Sequence, residues 1–402
     1  MNTVTLMAAF SGDKTSHYEP LFRYSEETKI TRIEVHAVGT ESTTGQYSGG
    51  DVPLKQVNNI LRITTADGFE GISGVDTYRQ GEFSDQLLLE LRGVANNIFA
   101  FESIDPVEVG AMLKRTQPTL SDEAHSSIDI ALWDLAARKA NRPLYKLLGA
   151  KQDSIQPYAS FPFFVTLPEY VDAVREYAKL GFQAFKFHVW GEIEADTQLV
   201  TLVQQVFAND PYQFMIDLEG KYDFEDALRL GRKMDEGLFV WLEAPIADRL
   251  VSQYGELRKR LAVSIIPSGY DIYSHEFIKL GINADAWDAG RFDVTVAGGI
   301  STALELLIIA NDADLGIEIQ SWGHSLAQAA NLHLMLANER TRYFEAPTPR
   351  DAFEFGMKNG IPMDANAQAI APAGPGLGVE VDWEQLTMAD FYKNTVIDLT
   401  RQ

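Results

Sequence analysis

From residue 151 onward, short apolar runs alternate with longer amphipathic segments. The amphipathic segments, such as 168–180, 223–236 and 300–311, predict helices, and the apolar runs between them predict strands. This alternation is typical of parallel β/α units, and eight units indicate a closed α/β barrel, with an open doubly wound sheet as the alternative. The predicted strands are residues 156–160, 184–189, 214–218, 240–244, 264–267, 284–289, 317–321 and 343–346.

The pattern before the barrel is mixed and predicts a smaller α+β domain. Segments 33–38 and 59–64 alternate as antiparallel strands do, a turn follows at 66–68, and helical segments come after it. Between the first two strands, the polar and glycine-rich segment 39–51 predicts either a plain surface connection or a lid over a site.

The length of the chain fits more than one domain. At 402 residues and 46% hydrophobic, it can bury a large core and exceeds the usual span of one domain. We expect an α+β domain in residues 1–150, with its ordered core in about 30–150, a barrel in 151–350, and a C-terminal segment, 351–402, that returns to the first domain.

Charge and composition exclude several classes of function. Lys and Arg number 34 against 57 Asp and Glu, and the resulting net charge of -23 repels phosphate backbones and anionic lipid, so we expect no nucleic-acid or membrane partner. The absence of cysteine excludes disulfides, thiolate metal sites and cysteine nucleophiles. No signal peptide or membrane-spanning run is evident, which predicts a cytoplasmic protein. Nucleotide binding is not favoured, because no Gly-x-Gly-x-x-Gly follows a predicted strand.

Charged and polar side chains stand where the predicted strands stop. In a β/α barrel the C-terminal ends of the strands meet at the active site. Lys186 and His188 share one face of their strand, because successive residues face opposite sides. Asp217 and Glu243 end the next two runs, and two buried carboxylates repel strongly unless a cation lies between them. The remaining candidates are Glu219, Asp271, Asp293, His324 and Glu345.

These motifs make the chain resemble the enolase superfamily, and within it the mandelate racemase-like members. Residues 127–149 look like the family's signature helix, and 375–379 look like its closing segment, together with Asp217, Glu243 and the Gly-Gly-Ile-Ser of 298–301. The resemblance covers nearly the whole chain. It implies a modified TIM barrel, (β/α)7β, preceded by an α+β capping domain, and a homo-oligomer.

The resemblance also implies a chemical first step. A base removes the proton next to a substrate carboxylate, and Mg²⁺ stabilises the enediolate that results. Asp217 and Glu243 become the first two metal ligands, and Lys186 becomes a base whose pKa is lowered by the neighbouring cation. Glu345 matches a position that contacts the substrate carboxylate.

Two histidines bear on which reaction follows. His324 resembles the seventh-strand histidine of the family, and Asp293 resembles the sixth-strand aspartate that fixes its tautomer. His188 stands where a second lysine is commoner, and some acid-sugar dehydratases carry histidine there. A histidine can protonate a departing hydroxyl, so this residue favours dehydration over racemisation.

The fifth strand departs from the family pattern. Tyr270 stands where a third acidic ligand is expected, and a neutral phenol is a poor Mg²⁺ ligand. Asp271 can replace it if the loop is shifted by one residue, or water fills the position, or the metal site has decayed. Glu219 is a further possible ligand, directly or through another group.

Together these features predict a Mg²⁺-dependent hydro-lyase that dehydrates an acid sugar, a small carboxylate substrate, to a 2-keto-3-deoxy acid. One alternative is a racemase or epimerase of a 2-hydroxy or amino acid derivative, with Lys186 and His324 on opposite sides of one carbon. Another is a non-catalytic carboxylate-binding barrel with a degraded metal site. Loops around 40–51 and 74–81 are expected to set substrate identity.

Overall fold

A four-stranded antiparallel sheet forms the first part of the fold. The computed structural model describes residues 28–42, 54–75, 85–101, 103–269, 274–388 and 391–401. The strands of this sheet are β1 (Ile30–Ser42), β2 (Leu54–Thr65), β3 (Glu70–Val75) and, from the far end of the chain, β13 (Phe391–Thr400). Their order is β13-β1-β2-β3, and Val35 lies opposite both Leu61 and Ile397. The last strand of the chain therefore completes the first sheet.

Among the described residues, three helices share a buried core with this sheet. Asp105 begins one of them by accepting hydrogen bonds from the N–H groups of Val107 and Glu108, and Ser121 begins another by accepting from Ala124. Their apolar faces share a buried core with β1 and β2. The helices are α1 (Asp85–Phe99), α2 (Pro106–Thr116) and α3 (Asp122–Lys139).

Eight parallel strands with intervening helices form the second part of the fold. The strands are β4 (Ser154–Phe161), β5 (Ala184–His188), β6 (Gln213–Asp217), β7 (Phe239–Glu243), β8 (Ser264–Ile266), β9 (Ala289–Phe292), β10 (Gly316–Ile319) and β11 (Tyr343–Pro347). The helices are α4 (Leu144–Leu147), α5 (Leu167–Lys179), α6 (Ile193–Val206), α7 (Phe224–Met234), α8 (Val251–Arg260), α9 (His275–Asn283), α10 (Gly299–Asp312) and α11 (Ser325–Ala337). A 3₁₀ helix (Arg350–Phe353), β12 (Ala369–Ile370) and α12 (Trp383–Thr387) follow.

Hydrogen bonds close these strands into a ring. Parallel pairing runs β11-β4-β5-β6-β7-β8, and β9 pairs with β10. Asp288 N donates to Ile265 O at 3.0 Å where β8 meets β9, and the Thr341 hydroxyl donates to Ile317 O at 2.7 Å where β10 meets β11. The predicted fold class, a β/α barrel behind an antiparallel capping sheet, is confirmed, and the open doubly wound sheet is not formed.

The side chains of β5 alternate between the outside and the inside of the barrel. Phe185 and Phe187 are buried on the outer face, where both stack on Phe214 between strands and helices. Successive residues of a strand point to opposite sides, so Lys186 and His188 point into the barrel. The base of the interior is filled by a separate cluster that includes Tyr158, Met215, Trp241 and Tyr343.

One predicted strand, residues 284–289, was wrong. The observed strand is β9, and it begins only at Ala289. Ala284 instead ends α9, with its N–H donating to Leu280 O at 3.0 Å, and Asp285 takes a left-handed φ of 50°. The first part of the predicted segment 284–289 belongs to the end of α9 and to the turn that follows it.

Several predicted features fall outside the described residues. Residues 43–53 and 76–84, which make up most of the two loops expected to set substrate identity, are among them, as are Tyr270 and Asp271. The described start of the first loop, up to Ser42, continues β1 and was wrongly predicted as loop. None of the described helices combines the length and the apolar composition needed to cross a bilayer.

Candidate active site

Lys186 lies at the centre of a buried ring of carboxylates. Its side chain is 1% exposed, and its Nζ lies 3.2 Å from Asp217 Oδ2, 3.2 Å from Glu243 Oε2 and 2.8 Å from Glu345 Oε1. The three carboxylates come from β6, β7 and β11, and each is nearly or fully buried. The structure therefore brings together four side chains that the sequence placed at the ends of four different strands.

His188 extends this cluster toward the mouth of the barrel. Its Nδ1 lies 2.7 Å from the carbonyl oxygen of Phe161, so Nδ1 carries the proton and donates it there. Its Nε2 lies 3.4 Å from Asp217 Oδ2. Burial lowers the pKa of His188, but the carboxylate of Asp217 outweighs burial and raises the pKa above its usual value. His188 is thereby equipped to carry a proton on the side that faces Asp217.

Arg291 is a member of the cluster that sequence analysis missed. Its side chain is fully buried, and its guanidinium lies 2.8 Å from Glu243 Oε1 through Nε and 3.0 Å from Glu345 Oε2 through Nη2. It was missed because the candidates were residues at the ends of predicted strands. The strand here was predicted at 284–289, before Arg291. Counting back two residues from Asp293 gives an inward position and would have found it.

The pKa values of the cluster follow from its charges. Burial would lower the pKa of Lys186, but Glu243 and Glu345 outweigh burial and hold it well above its usual value. Lys186 likewise overcomes burial at Asp217 and Glu345, whose pKa values are both lowered. At Glu243, burial and repulsion from Asp217 raise the pKa against the effect of Arg291.

The charge balance of the cluster favours a further cation. Two cationic side chains, Lys186 and Arg291, face three carboxylates, Asp217, Glu243 and Glu345, and the raised pKa of Glu243 reflects the one carboxylate that these two cations do not match. Oxygen donors of this kind suit Mg²⁺, which is often bound by one or two carboxylates together with water and substrate. Asp217 and Glu243 fit that description as two ligands. Within the described ranges, no cluster of three His, Asp or Glu side chains has the geometry of a metal site.

Glu219 is placed to support Asp217. It takes a left-handed φ of 50°, and its N–H donates to Asp217 Oδ1 at 2.9 Å. Its own carboxylate lies 2.9 Å from Lys221 Nζ at the surface. The backbone of Glu219 therefore orients the carboxylate of Asp217, while its side chain lies with Lys221. The other possible third ligands, Tyr270 and Asp271, lie outside the described residues.

His324 and Asp293 are not joined to each other. His324 Nε2 donates to Phe355 O at 2.7 Å, and its Nδ1 accepts the N–H of Leu326 at 3.5 Å, so the ring begins α11. Burial lowers the pKa of His324 to about 4. Asp293 Oδ1 accepts hydrogen bonds from Thr295 and from Asn331 Nδ2. The segment between β10 and α11 thus directs the imidazole to backbone groups.

A capping sheet on a closed β/α barrel, with carboxylates and a lysine gathered inside the ring of strands, defines this protein as a barrel of the enolase type. Residues 34–149 match the mandelate racemase/muconate lactonizing enzyme N-terminal domain, and residues 169–386 match the enolase C-terminal domain-like family. The chain belongs to the enolase superfamily, in its mandelate racemase/muconate lactonizing enzyme subgroup.

Its characterised relatives catalyse different reactions. The L-talarate/galactarate dehydratase of Salmonella typhimurium is 29% identical over 65% of this chain and 67% of its own length. The arabinonate dehydratase of Saccharolobus solfataricus is 27% identical over 79% of this chain and 87% of its own. The D-Ala-D/L-Ala epimerase of Cytophaga hutchinsonii is 25% identical over 81% and 89%. Membership of the family therefore leaves the specific reaction open.

Solved structures agree with the fold. A Pseudovibrio sp. protein assigned to the mandelate racemase/muconate lactonizing enzymes superimposes with a TM-score of 0.86 at 32% identity, over 91% of this chain and 99% of that one. The Salmonella typhimurium L-talarate/galactarate dehydratase liganded with Mg and L-lyxarohydroxamate gives a TM-score of 0.81 at 22% identity, over 97% and 99%. A mutant of L-talarate/galactarate dehydratase is liganded with Mg and L-glucarate. That dehydratase therefore has structures with Mg and an acid-sugar ligand.

Proposed function

We propose that this protein is a Mg²⁺-dependent hydro-lyase that removes water from an acid sugar, an aldonate, uronate or aldarate, to give a 2-keto-3-deoxy acid. The observation that carries the proposal is the convergence of Lys186 and His188 with Asp217, Glu243 and Glu345 inside the barrel. The dehydratases among its relatives support the same reaction class.

Each side chain has a role in the proposed reaction. Lys186 is the base for the proton on the carbon beside the substrate carboxylate, and its amine form would be reached when a cation held by Asp217 and Glu243 offsets the carboxylates that raise its pKa. His188 donates the proton held on its Nε2 to the hydroxyl that leaves from the next carbon, so that water departs and an enol remains, which tautomerises to the 2-keto acid. Glu345 orients the substrate. Asp217 and Glu243 would hold Mg²⁺, which when bound supplies the positive charge that stabilises an enediolate.

The state of His324 favours dehydration over racemisation. A racemase of the predicted kind needs a second acid or base on the far side of the same carbon, and His324 was the candidate. Both of its ring nitrogens bond backbone groups, Phe355 O and Leu326 N. Among the described residues, the proton-transfer groups of this proposal, Lys186 and His188, both lie on β5, a one-sided arrangement that suits loss of water.

The test is turnover of an acid-sugar panel. The protein is incubated with Mg²⁺ and a set of aldonates, uronates and aldarates in D₂O, and 2-keto products are detected with semicarbazide while exchange is followed by NMR. We expect keto product from at least one class and none from Lys186→Met. The variant His188→Asn should retain deuterium exchange and lose dehydration.

Other outcomes point to the alternatives. Deuterium exchange or inversion in wild-type protein without keto product would identify a racemase or epimerase. Absence of turnover across the panel, together with absence of Mg²⁺ binding, would identify a carboxylate-binding barrel without catalysis, as the tyrosine at position 270 allows.

A further inference from the structure

The guanidinium of Arg291 touches two carboxylates that the proposed function gives to different tasks. We infer that Arg291 is a positioning residue: it holds Glu243, a proposed metal ligand, and Glu345, a proposed substrate contact, in one fixed arrangement, and so couples the two binding events. This inference rests on the proposed function and extends it to a side chain that touches neither the substrate nor the metal.

The guanidinium is fixed on four sides. Nε lies 2.8 Å from Glu243 Oε1 as an ion pair, since the N–H is not aimed at that oxygen. Nη2 donates to Glu345 Oε2 at 3.0 Å and to the hydroxyl of Tyr158 at 3.1 Å, and Nη1 donates to Glu318 O at 3.4 Å. These partners come from β7, β11, β4 and β10. A planar cation bound from four strands has little freedom to move, so the carboxylates it holds are fixed as well.

Arg291 and Lys186 contact the same two carboxylates. Arg291 contacts Glu243 Oε1 and Glu345 Oε2, whereas Lys186 contacts Glu345 Oε1 and both oxygens of Glu243, Oε2 at 3.2 Å and Oε1 at 3.3 Å. Neutral donors complete each set: the indole of Trp241 donates to Glu243 Oε2 at 3.2 Å, and the Ser160 hydroxyl donates to Glu345 Oε1 at 2.9 Å. With Arg291 on Oε1, Glu243 is held so that its Oε2 meets Lys186 and Trp241.

The variant Arg291→Lys tests whether Arg291 acts by positioning the carboxylates or only by its positive charge. Lysine keeps the positive charge, but a single ammonium on a flexible stem lacks the planar fork that meets both carboxylates and Tyr158 together. If Arg291 only neutralises charge, Arg291→Lys should behave like wild type. If Arg291 positions the ligands, the same variant should bind Mg²⁺ less tightly while remaining folded.

The matched control is Arg342→Lys. Arg342 also pairs with a buried carboxylate, through its Nε at 2.6 Å from Glu318 Oε1, but it lies at the start of β11 and away from the cluster. Its side chain is half exposed, so the substitution is tolerated at that position. The control alters one buried arginine–glutamate ion pair without touching Glu243 or Glu345.

The experiment is calorimetric titration of the full-length protein with MgCl₂, with and without galactarate as probe, for wild type, Arg291→Lys and Arg342→Lys. Near-UV circular dichroism checks that each variant is folded. We expect Arg291→Lys to weaken Mg²⁺ binding by about 10-fold to 100-fold, as is usual when a group that orients a ligand is lost, and to reduce the gain in galactarate affinity that Mg²⁺ provides. Arg342→Lys should match wild type.

Two results would overturn the inference: equal Mg²⁺ affinity in wild type and folded Arg291→Lys, or an equal loss in Arg342→Lys. Should wild type itself fail to bind Mg²⁺, the proposed function fails instead. The two failures are therefore distinguished within one titration series.

Discussion

We predict that His333 makes the free energy of unfolding fall as the pH is lowered, and the structure gives both the direction and the magnitude of this effect. It is fully buried on α11, its Nδ1 accepts the N–H of Tyr145 at 3.1 Å, and its Nε2 donates to Leu377 O at 3.0 Å. Only the neutral ring satisfies both contacts, because a proton on Nδ1 would face the N–H of Tyr145. Burial lowers the pKa of His333 from 6.5 to about 4.

Because the pKa of His333 is lower in the folded protein than in the unfolded chain, the unfolded chain binds a proton more readily. As pH falls below 6.5, the imidazole is protonated when unfolded but stays neutral when folded, so the free energy of unfolding falls until the pH nears the folded pKa. Between pH 7 and pH 5 this one group should remove about 2 kcal/mol, since one pKa unit corresponds to about 1.4 kcal/mol.

The assay is urea unfolding of wild type and His333→Gln at pH 7 and at pH 5. Glutamine can still donate toward Leu377 O but does not titrate. We expect His333→Gln to be less stable at pH 7, with a loss on acidification that is smaller than that of wild type by about 2 kcal/mol. An identical loss in both proteins would refute the claim that His333 is held neutral by its two backbone partners.

Further predictions follow from buried contacts. Glu345→Gln leaves two buried cations short of a partner and should lower the free energy of unfolding by about 3 kcal/mol in urea, and an unchanged value would contradict the buried ion pairs. Gly299→Ala places a Cβ 2.5 Å from Asp129 Oδ2 at a φ of 89° and should cost at least about 1–3 kcal/mol, whereas Gly93→Ala, with open space around it, should not destabilise. His324→Asn keeps a side chain suited to begin α11 and should keep kcat/KM within about 10-fold, while a loss of several hundredfold would restore His324 as an acid or base.

The barrel and much of the cluster could be predicted from the sequence. Apolar runs buried on both sides gave strand positions within a few residues, and the alternation of Lys186 and His188 with two phenylalanines fixed which face enters the barrel. Asp217, Glu243 and Glu345 could be placed because the last inward residue of a strand reaches the mouth of the barrel.

The remaining features depend on contacts that periodicity does not encode. Arg291 lies within β9, and the alternation that points it inward can be applied only once the strand is placed at Ala289–Phe292, later than the predicted segment 284–289. His324 was expected inside the barrel, but its ring bonds Phe355 O instead. Such details depend on loop length and on partners that are distant in the chain, and neither follows from a hydrophobic pattern.

The most direct test of the account is calorimetric titration of the full-length protein with MgCl₂, comparing wild type with Asp217→Asn. Asp223→Asn serves as the matched control, because Asp223 only begins α7 by accepting the N–H of Asp226, and asparagine does this equally well. If Asp217 and Glu243 converge to hold a divalent cation beside Lys186, wild type and Asp223→Asn bind a single Mg²⁺ and Asp217→Asn does not. Undiminished Mg²⁺ binding by Asp217→Asn, or no binding by wild type, would contradict it.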